Sequence, residues 1–271
     1  MDLEEKEGDA ISEEENEGEM ERKYGRWEEL NCETKPSERF FCSLTTLDDK
    51  RVLLYGGKHK EKALNCVYIF HTERNEWEKL ELRDAPYSFA HSATFYKGSV
   101  FFFGGADIND LCTSKMWRFD VREKQLFAVA DAKRDIPSPR RGHGHVLLEG
   151  KLFIFGGFDG NKRFNDLHCF HFESLTWECL SPNKENFNPI ILPEVRSYPG
   201  FWTEGENLFL FGGRGSRIGF LRDLWMFRLS DKKWIRILQE GDSPPQRYCP
   251  SVIYEADKGS TLFIFSTNFF L

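Results

Sequence analysis

An apolar segment that ends in two glycines occurs four times in this chain and constrains its fold more than any other feature. The four copies are Arg51–Gly57, Ser99–Gly105, Lys151–Gly157 and Asn207–Gly213. Their aromatic and β-branched residues favour strands, and glycine adopts backbone angles that are closed to other residues. The copies recur about every 50 residues, a period that predicts an array of small repeated sheets.

Three further segments accompany each glycine pair and complete the repeat. An earlier strand, a, opens near Arg39, Ser88, Arg140, Arg196 and Arg247. The glycine-ended strand is b, and a middle apolar strand, c, covers Cys66–Phe70, Lys115–Phe119, Leu167–Phe170 and Leu224–Phe227. The last strand, d, carries Trp77, Trp177 and Trp234, with Phe127 in the second repeat and Trp27 ahead of the first full repeat. The short a–b turns are typical of hairpins, so we predict four antiparallel strands per repeat.

The segment from Pro139 to Trp177 carries the clearest copy of this pattern. It contains Arg140, His143, the double glycine, and Asp166 directly before strand c. This segment resembles a kelch repeat of the kelch-domain-containing family, and four such repeats lie within residues 32–241. The resemblance implies an all-β fold, a kelch β-propeller of four-stranded antiparallel blades whose a strands line a central channel.

The fifth repeat departs from the pattern. Pro245–Arg247 opens its strand a and Thr261–Phe265 is its strand b, but Ser266–Leu271 stands where the glycines are expected. We therefore predict about four complete blades plus one partial blade shared by the two ends of the chain, with the Trp27 segment as its strand d. A closed five-bladed ring and a truncated form of a longer protein both fit this pattern.

Charge divides the chain into two predicted parts. Residues 1–22 hold 11 acidic side chains against Lys6 and Arg22, so residues 1–23 are predicted to be an acidic disordered tail. This tail either recruits a basic partner or only aids solubility. The net charge of the whole chain is −7, which leaves the predicted propeller, 24–271, nearly neutral. Such a body lacks the basic field of a nucleic-acid-binding protein.

Composition also bears on location. The seven cysteines form no CxxC pair and are odd in number, which is typical of reduced thiols. The acidic start lacks the apolar segment of a signal peptide, and no apolar run reaches the roughly 20 residues of a membrane span. We expect a cytoplasmic or nuclear protein, or one found in both compartments, with no membrane partner.

The long b–c and d–a connections predict a binding face at one end of the propeller. The predicted peptide-binding residues are Arg39, Arg140, Arg196 and Arg247 at the starts of a strands, Arg163, Arg214 and Arg217 in b–c loops, and Tyr198 and Tyr248 beside them. Lys58, Lys60 and Lys62 add charge. Guanidinium groups bind carboxylates bidentately. In the alternative interpretation, each opening arginine is a repeat residue that packs inside the propeller.

Kelch receptors of ubiquitin ligases resemble this arrangement. The resemblance implies an adaptor or substrate receptor that binds an acidic or C-terminal carboxylate and has ubiquitin-ligase subunits as possible partners. A cytoskeletal or scaffold role is the first alternative. A metal-dependent enzyme is the second, because His143 and His145 would share one face of a strand. The sequence contains none of the common catalytic motifs, so we expect no cofactor and no catalysis.

Overall fold

The computed structural model describes residues 30, 32, 34–129, 134–181, 191–216 and 219–241, and the backbone of 251–255 and 261–265. Within these residues the chain is all-β, and four sheets of four antiparallel strands follow one another in the predicted order a–b–c–d. All these strands lie in one compact unit, Cys32–Leu271. The predicted strand around Trp27 and the predicted tail lie outside the described residues.

The strands of the first two blades have the following bounds. Blade 1 contains β1 (Ser43–Asp48), β2 (Arg51–Tyr55), β5 (Val67–His71) and β6 (Glu76–Leu80), with a small hairpin, β3 (Lys58–His59) and β4 (Lys62–Ala63), in its b–c loop. Blade 2 contains β7 (Ser92–Tyr96), β8 (Ser99–Phe103), β9 (Met116–Asp120) and β10 (Gln125–Ala128). Each predicted c strand therefore exists, displaced by at most one residue.

The later blades repeat this plan. Blade 3 contains β11 (Gly144–Leu148), β12 (Lys151–Phe155), β13 (Leu167–His171) and β14 (Thr176–Ser181). Blade 4 contains β16 (Gly200–Glu204), β17 (Asn207–Phe211), β19 (Leu224–Arg228) and β20 (Lys233–Ile237), with β15 (Arg196–Ser197) paired to β18 (Arg214–Gly215). The partial fifth blade contains β21 (Ser251–Glu255) and β22 (Thr261–Phe265), which pair antiparallel as predicted.

The hydrophobic cores lie between blades, because successive residues of a strand point to opposite faces. In β8, Val100 and Phe102 pack in the core shared with blade 1, whereas Phe101 and Phe103 pack in the core shared with blade 3. Trp177 lies in that second core, as the repeat register predicts. A third core joins blades 3 and 4. The b strands β8 and β12 are thus buried on both faces.

The double glycine joins consecutive blades. Gly156 and Gly157 have φ angles of 67° and 105°, and the Gly157 N–H donates to the carbonyl of Arg196, which opens strand a of the next blade, at 2.8 Å. A Cβ atom on Gly156 would lie 2.6 Å from that same carbonyl oxygen. The same bond joins blades 1 and 2 and blades 2 and 3, at 2.9 and 2.8 Å. The glycines therefore do more than turn strand b into a loop.

A second set of inter-blade bonds runs beside the a strands. Phe41, Ala90, Gly142 and Tyr198 hold the same repeat position, and all have φ angles between 53° and 59°. Each of the last three donates its N–H to the carbonyl of the preceding one, at 2.8, 2.8 and 2.5 Å. The Phe41 and Tyr198 rings stack with centroids 5.2 Å apart. The row of a-strand starts therefore curls back on itself, so that blade 4 contacts blade 1 through these two rings.

Candidate functional site

The two arginines that open strand a in blades 3 and 4 lie inside the propeller. Arg140 is 0 % exposed and donates to both carboxylate oxygens of Asp166, at 2.6 and 2.8 Å. Arg196 is also 0 % exposed and binds Asp223 in the same way, at 2.7 and 2.8 Å. Each arginine donates further to two backbone carbonyls of its own blade. The prediction that these two arginines bind a peptide is therefore wrong, since their carboxylate partners are internal.

These ion pairs are charged in the folded protein. Burial raises the pKa of the Asp166 carboxyl, but hydrogen bonds from Arg140 and from His168, at 3.0 Å, outweigh burial and hold that pKa below its ordinary value. Burial acts in the same way on Asp223, whose pKa is nevertheless lowered by Arg196 and by a hydrogen bond from an indole N–H. Both carboxyl groups are therefore ionised at neutral pH, and the pairs stabilise their blades.

Blades 1 and 2 replace this ion pair. The Nη1 atom of Arg39 donates to the carbonyl of Gly56 at 3.1 Å and lies 3.2 Å from the sulfur of Cys66. In blade 2, Ser88 and Lys115 stand where the arginine and the aspartate are found in blades 3 and 4. Because both the arginine and the aspartate are replaced in blade 2, no unpaired charge is left buried there. Arg39 is thus bound within its own blade, although it remains partly exposed.

The other described residues of the predicted peptide-binding set lie on the loop face, meaning the face formed by the b–c loops and the starts of the a strands. Arg163 is half-buried and donates to the hydroxyl of Ser197 at 3.2 Å. Arg214 is exposed in β18, and Tyr198 is half-buried against Phe41. Arg217, Arg247 and Tyr248 lie outside the described residues. The structure thus brings only part of the predicted set to one surface.

Short backbone bridges build the loop face above each double glycine. In blade 3, Arg141 pairs with Phe158, which pairs in turn with Arg163. Blade 2 places Phe89, Ala106 and Cys112 at the same three positions. Successive side chains of an extended segment point in opposite directions, so Arg141 faces outward where Arg140 faces inward. The prediction missed Arg141, although it stands directly after the predicted arginine.

Five side chains at the centre of the loop face alternate between cations and aromatic rings. This cation–aromatic arc consists of Lys58, Phe89, Arg141, Phe158 and Arg163. The Lys58 Nζ atom lies 4.3 Å from the Phe89 ring centroid, and the Arg141 Cζ atom lies 5.3 and 5.5 Å from those of Phe89 and Phe158. The Arg163 Cζ atom lies 4.9 Å from the Phe158 centroid. Cation–π contacts contribute about 0.5–2 kcal/mol each, so the arc is held in place without a ligand.

Asp110 joins two cations of the arc. Its Oδ1 atom lies 3.1 Å from Lys58 Nζ and 3.2 Å from Arg141 Nη1. Burial alone would raise the pKa of the Asp110 carboxyl. The two cations outweigh burial, so this pKa lies below its ordinary value and the carboxyl stays ionised. The Arg141 Nη1 atom is buried, and among the described residues it makes no directed hydrogen bond. Asp110 thus balances part of the positive charge of the arc and fixes the position of Arg141 within it.

The histidines of the a strands are at least half-buried, and burial keeps them neutral. His91 binds the hydroxyls of Ser43 and Ser88 at 2.9 and 3.1 Å, and burial lowers its pKa to about 3. Burial also lowers the pKa of His143 well below its ordinary value, and neither of its ring nitrogens has a hydrogen-bond partner among the described residues. In that same part of the chain, no three His, Cys, Asp or Glu side chains gather as metal ligands.

The opposite face, which carries the a–b and c–d turns, is named the turn face. Ion pairs join neighbouring blades there: Glu178 accepts from Lys232 at 2.7 Å and lies 3.4 Å from His171. The same three residue types, His71, Glu78 and Lys124, join blades 1 and 2. A cavity of about 330 Å³ lies between blades 3 and 4 and is lined in part by Glu178 and Lys232. The described residues contain no helix long and apolar enough to cross a membrane.

The sequence of this chain is similar to a known family of repeats and to several known proteins. A family model, the KLHDC2/KLHL20/DRC7 Kelch-repeats domain, matches residues 19–190 and 90–268. The chain is 26 % identical to Kelch domain-containing protein 2 of Bos taurus over 242 residues, which cover 78 % of this chain and 58 % of that protein. It is 32 % identical to the Rab9 effector protein with kelch motifs of Gallus gallus over 124 residues, 44 % of this chain and 33 % of that protein.

A similar region also occurs in a much larger protein. The chain is 26 % identical over 226 residues to the dynein alpha chain of the flagellar outer arm of Chlamydomonas reinhardtii, 77 % of this chain but 5 % of that protein. The chain thus spans less than two thirds of each of these relatives. Because the family model matches most of the sequence and the described blades have the predicted strand order, the chain belongs to the kelch-repeat family and is a protein-interaction propeller.

Proposed function

We propose that this propeller binds a carboxylate-bearing peptide segment of a partner protein on its loop face, as an adaptor or substrate receptor. The observation that carries the proposal is the guanidinium of Arg141. It lies between two phenylalanine rings in a row of cations that runs from Lys58 through Arg163 to the exposed Arg214, and Asp110 pairs with two of these cations. An acidic side chain or a chain terminus of the partner pairs with the exposed cations of this row.

The Phe41 and Tyr198 rings stack beside the a-strand starts. In this proposal the peptide lies across the loop face above them. Arg163 and the exposed Arg214 flank this surface. Arg39, Arg217, Arg247 and Tyr248 complete the proposed set. The buried Arg140 and Arg196 support the set from below.

The narrower role is that of a substrate receptor for a ubiquitin ligase. The likeness of the repeats to kelch receptors supports it, and the loop face leaves the turn face for a second partner. Binding of this kind needs no cofactor and no bond-breaking step. We expect it to take place in the cytoplasm or the nucleus. Capture of a ligase subunit by the full chain tests this role separately from peptide binding.

An array of acidic peptides with free and amidated C-termini tests the binding proposal. We expect the wild-type chain to retain a subset of them and Arg141→Ala to bind that subset at least about tenfold more weakly, because a hydrogen bond to a charged group contributes about 1.5–3 kcal/mol. Lys232→Ala, on the turn face, is the matched control and should bind normally. Equal affinity for wild type and Arg141→Ala would refute the proposal.

A further inference from the structure

Blade 1 carries a cysteine at the position where blades 3 and 4 carry the aspartate of their internal ion pair. Cys66 stands directly before strand c of blade 1, 27 residues after Arg39. Asp223 stands directly before strand c of blade 4, also 27 residues after its arginine, Arg196. The thiol of Cys66 therefore occupies the position from which a carboxylate binds the arginine in two other blades.

The rest of this arginine site is the same in blades 1 and 3. Arg39 donates from Nε to the carbonyl two residues before it, at 3.0 Å, and from Nη1 to the carbonyl of the first glycine, at 3.1 Å. The corresponding bonds of Arg140 are 2.9 and 2.8 Å long. Asn65, directly before the cysteine, donates its side-chain N–H to a backbone carbonyl at 3.2 Å, as Asn165 does in blade 3 at 3.1 Å. The two sites thus differ in the group that faces the guanidinium.

Arg39 carries its positive charge without a carboxylate beside it. Its Nη1 atom lies 3.2 Å from the sulfur of Cys66, and its Nη2 atom donates to the hydroxyl of Ser37 at 3.1 Å. Its Cζ atom lies 5.4 Å from the centroid of the Tyr68 ring. Among the residues that the structure describes, Arg39 makes no ion pair. Because a guanidinium binds best to an anion with two oxygen atoms, such a group at position 66 suits this site better than a thiol.

The other described cysteines are less suited to become anions. Burial raises the pKa of the Cys112 thiol to about 11 and that of the Cys169 thiol to about 12. Burial also raises the pKa of the Cys42 and Cys179 thiols. Cys32 donates its S–H group to a backbone carbonyl at 3.0 Å. Since the thiolate is the reactive form of cysteine, we expect these five thiols to react slowly with an oxidant.

We propose that Cys66 is a site of oxidation by a peroxide, which converts its thiol into a sulfinate that pairs with Arg39. Cys66 is half-buried, which leaves it accessible to a small oxidant. In the first step the sulfur attacks a peroxide oxygen and the O–O bond breaks, so that the thiol and hydrogen peroxide give a sulfenic acid and water. A second hydrogen peroxide gives the sulfinic acid and another water, and the sulfinic acid then loses its proton.

The sulfinate completes the ion pair of blade 1. It carries a negative charge on two oxygen atoms, like the Asp166 carboxylate of blade 3, and a bidentate pair with a guanidinium is a strong one. Thiols reverse the first oxidation step but not the second, so the pair persists once it has formed. Oxidation therefore strengthens blade 1 and neutralises one cation of the loop face. This inference does not rest on the proposed function, since Arg141 takes no part in it.

Treatment of the full chain with hydrogen peroxide, followed by peptide mass spectrometry, tests the proposal. We expect a gain of two oxygen atoms, about 32 Da, at Cys66 before any such gain at the other described cysteines. The melting temperature should rise by about 2 °C or more, as one added ion pair predicts for a domain of this size. Cys66→Ser should show neither change, and the matched control Cys32→Ser should respond like the wild type.

An aspartate at position 66 tests the ion pair without an oxidant. Cys66→Asp should melt about 2 °C or more above the wild type. In an Arg39→Met background the same substitution should lower the melting temperature, because the new carboxylate then lacks its cation. The proposal is overturned if peroxide oxidises other described cysteines but not Cys66, or if Cys66 forms a disulfide instead. It is also overturned if oxidised Cys66 leaves the melting temperature unchanged or lower, or if Cys66→Asp acts equally with and without Arg39.

Discussion

Replacing Arg140 by methionine tests the structural role assigned to the opening arginines. Methionine fills much of the same space but leaves Asp166 charged and 6 % exposed, with His168 as its one remaining side-chain donor among the described residues. Removing one partner of a buried ion pair costs about 3–5 kcal/mol. With an unfolding slope of about 1–3 kcal/mol per molar urea, the midpoint should fall by about 1 M or more. Tryptophan fluorescence in a urea titration measures this shift.

Two further variants show whether the loss has the stated cause. Arg214→Met, at an exposed position of the loop face, should change the free energy of unfolding by less than about 1 kcal/mol, as surface substitutions usually do. The double variant Arg140→Met/Asp166→Leu removes the whole buried ion pair, which blade 2 also lacks, and should recover most of the stability. A loss below about 1 kcal/mol for Arg140→Met alone, or a double variant no more stable than the single one, would refute the reasoning.

Three other perturbations follow from the same contacts. The folded state keeps His91 and His143 neutral, whereas in the unfolded state both take up protons below about pH 6.5. The free energy of unfolding should therefore fall by about 1.4 kcal/mol for each of these histidines and each pH unit below that value. Urea midpoints that do not change between about pH 6.5 and 5 would contradict this. Gly156→Ala should lower the melting temperature more than Gly160→Ala does. The new Cβ atom would lie 2.6 Å from a carbonyl oxygen at position 156 but would meet no atom within 4 Å at position 160. Equal losses would show that backbone strain alone matters. Lys124→Met removes the partly exposed ion pair with Glu78 and should lower the free energy of unfolding by less than about 1 kcal/mol. In urea titrations, the difference between wild type and variant should shrink at high salt. A larger loss that does not depend on salt would contradict this.

The fold could be predicted because its determinants repeat. The double glycine, the apolar strands and the downstream tryptophan recur at a nearly constant spacing, and each copy confirms the register of the others. The second function of the glycines could not be deduced in this way. The contact of Gly156 with the backbone of the next blade depends on tertiary packing, which periodicity does not encode.

The site was predicted less well, for a reason visible at two neighbouring residues. Arg140 has a counterpart in blade 4, Arg196, and in both blades an aspartate stands directly before strand c, 26 and 27 residues after the arginine. A charge that is matched at nearly the same distance in two repeats indicates an internal ion pair, and that signal was present in the sequence. Arg141 has no counterpart in the other blades, so its outward direction and its position between two phenylalanines emerge only from the assembled face.

Hydrogen–deuterium exchange with and without a selected peptide tests most directly whether the loop face is the binding surface. We expect slower exchange at the segments 57–63, 106–112 and 158–163, which build the loop face around the arc. Exchange should not change at the c–d turns 121–124, 172–175 and 229–232 of the turn face. Protection confined to those turns, with unchanged exchange around Arg141, would show that the peptide binds the turn face and not the loop face.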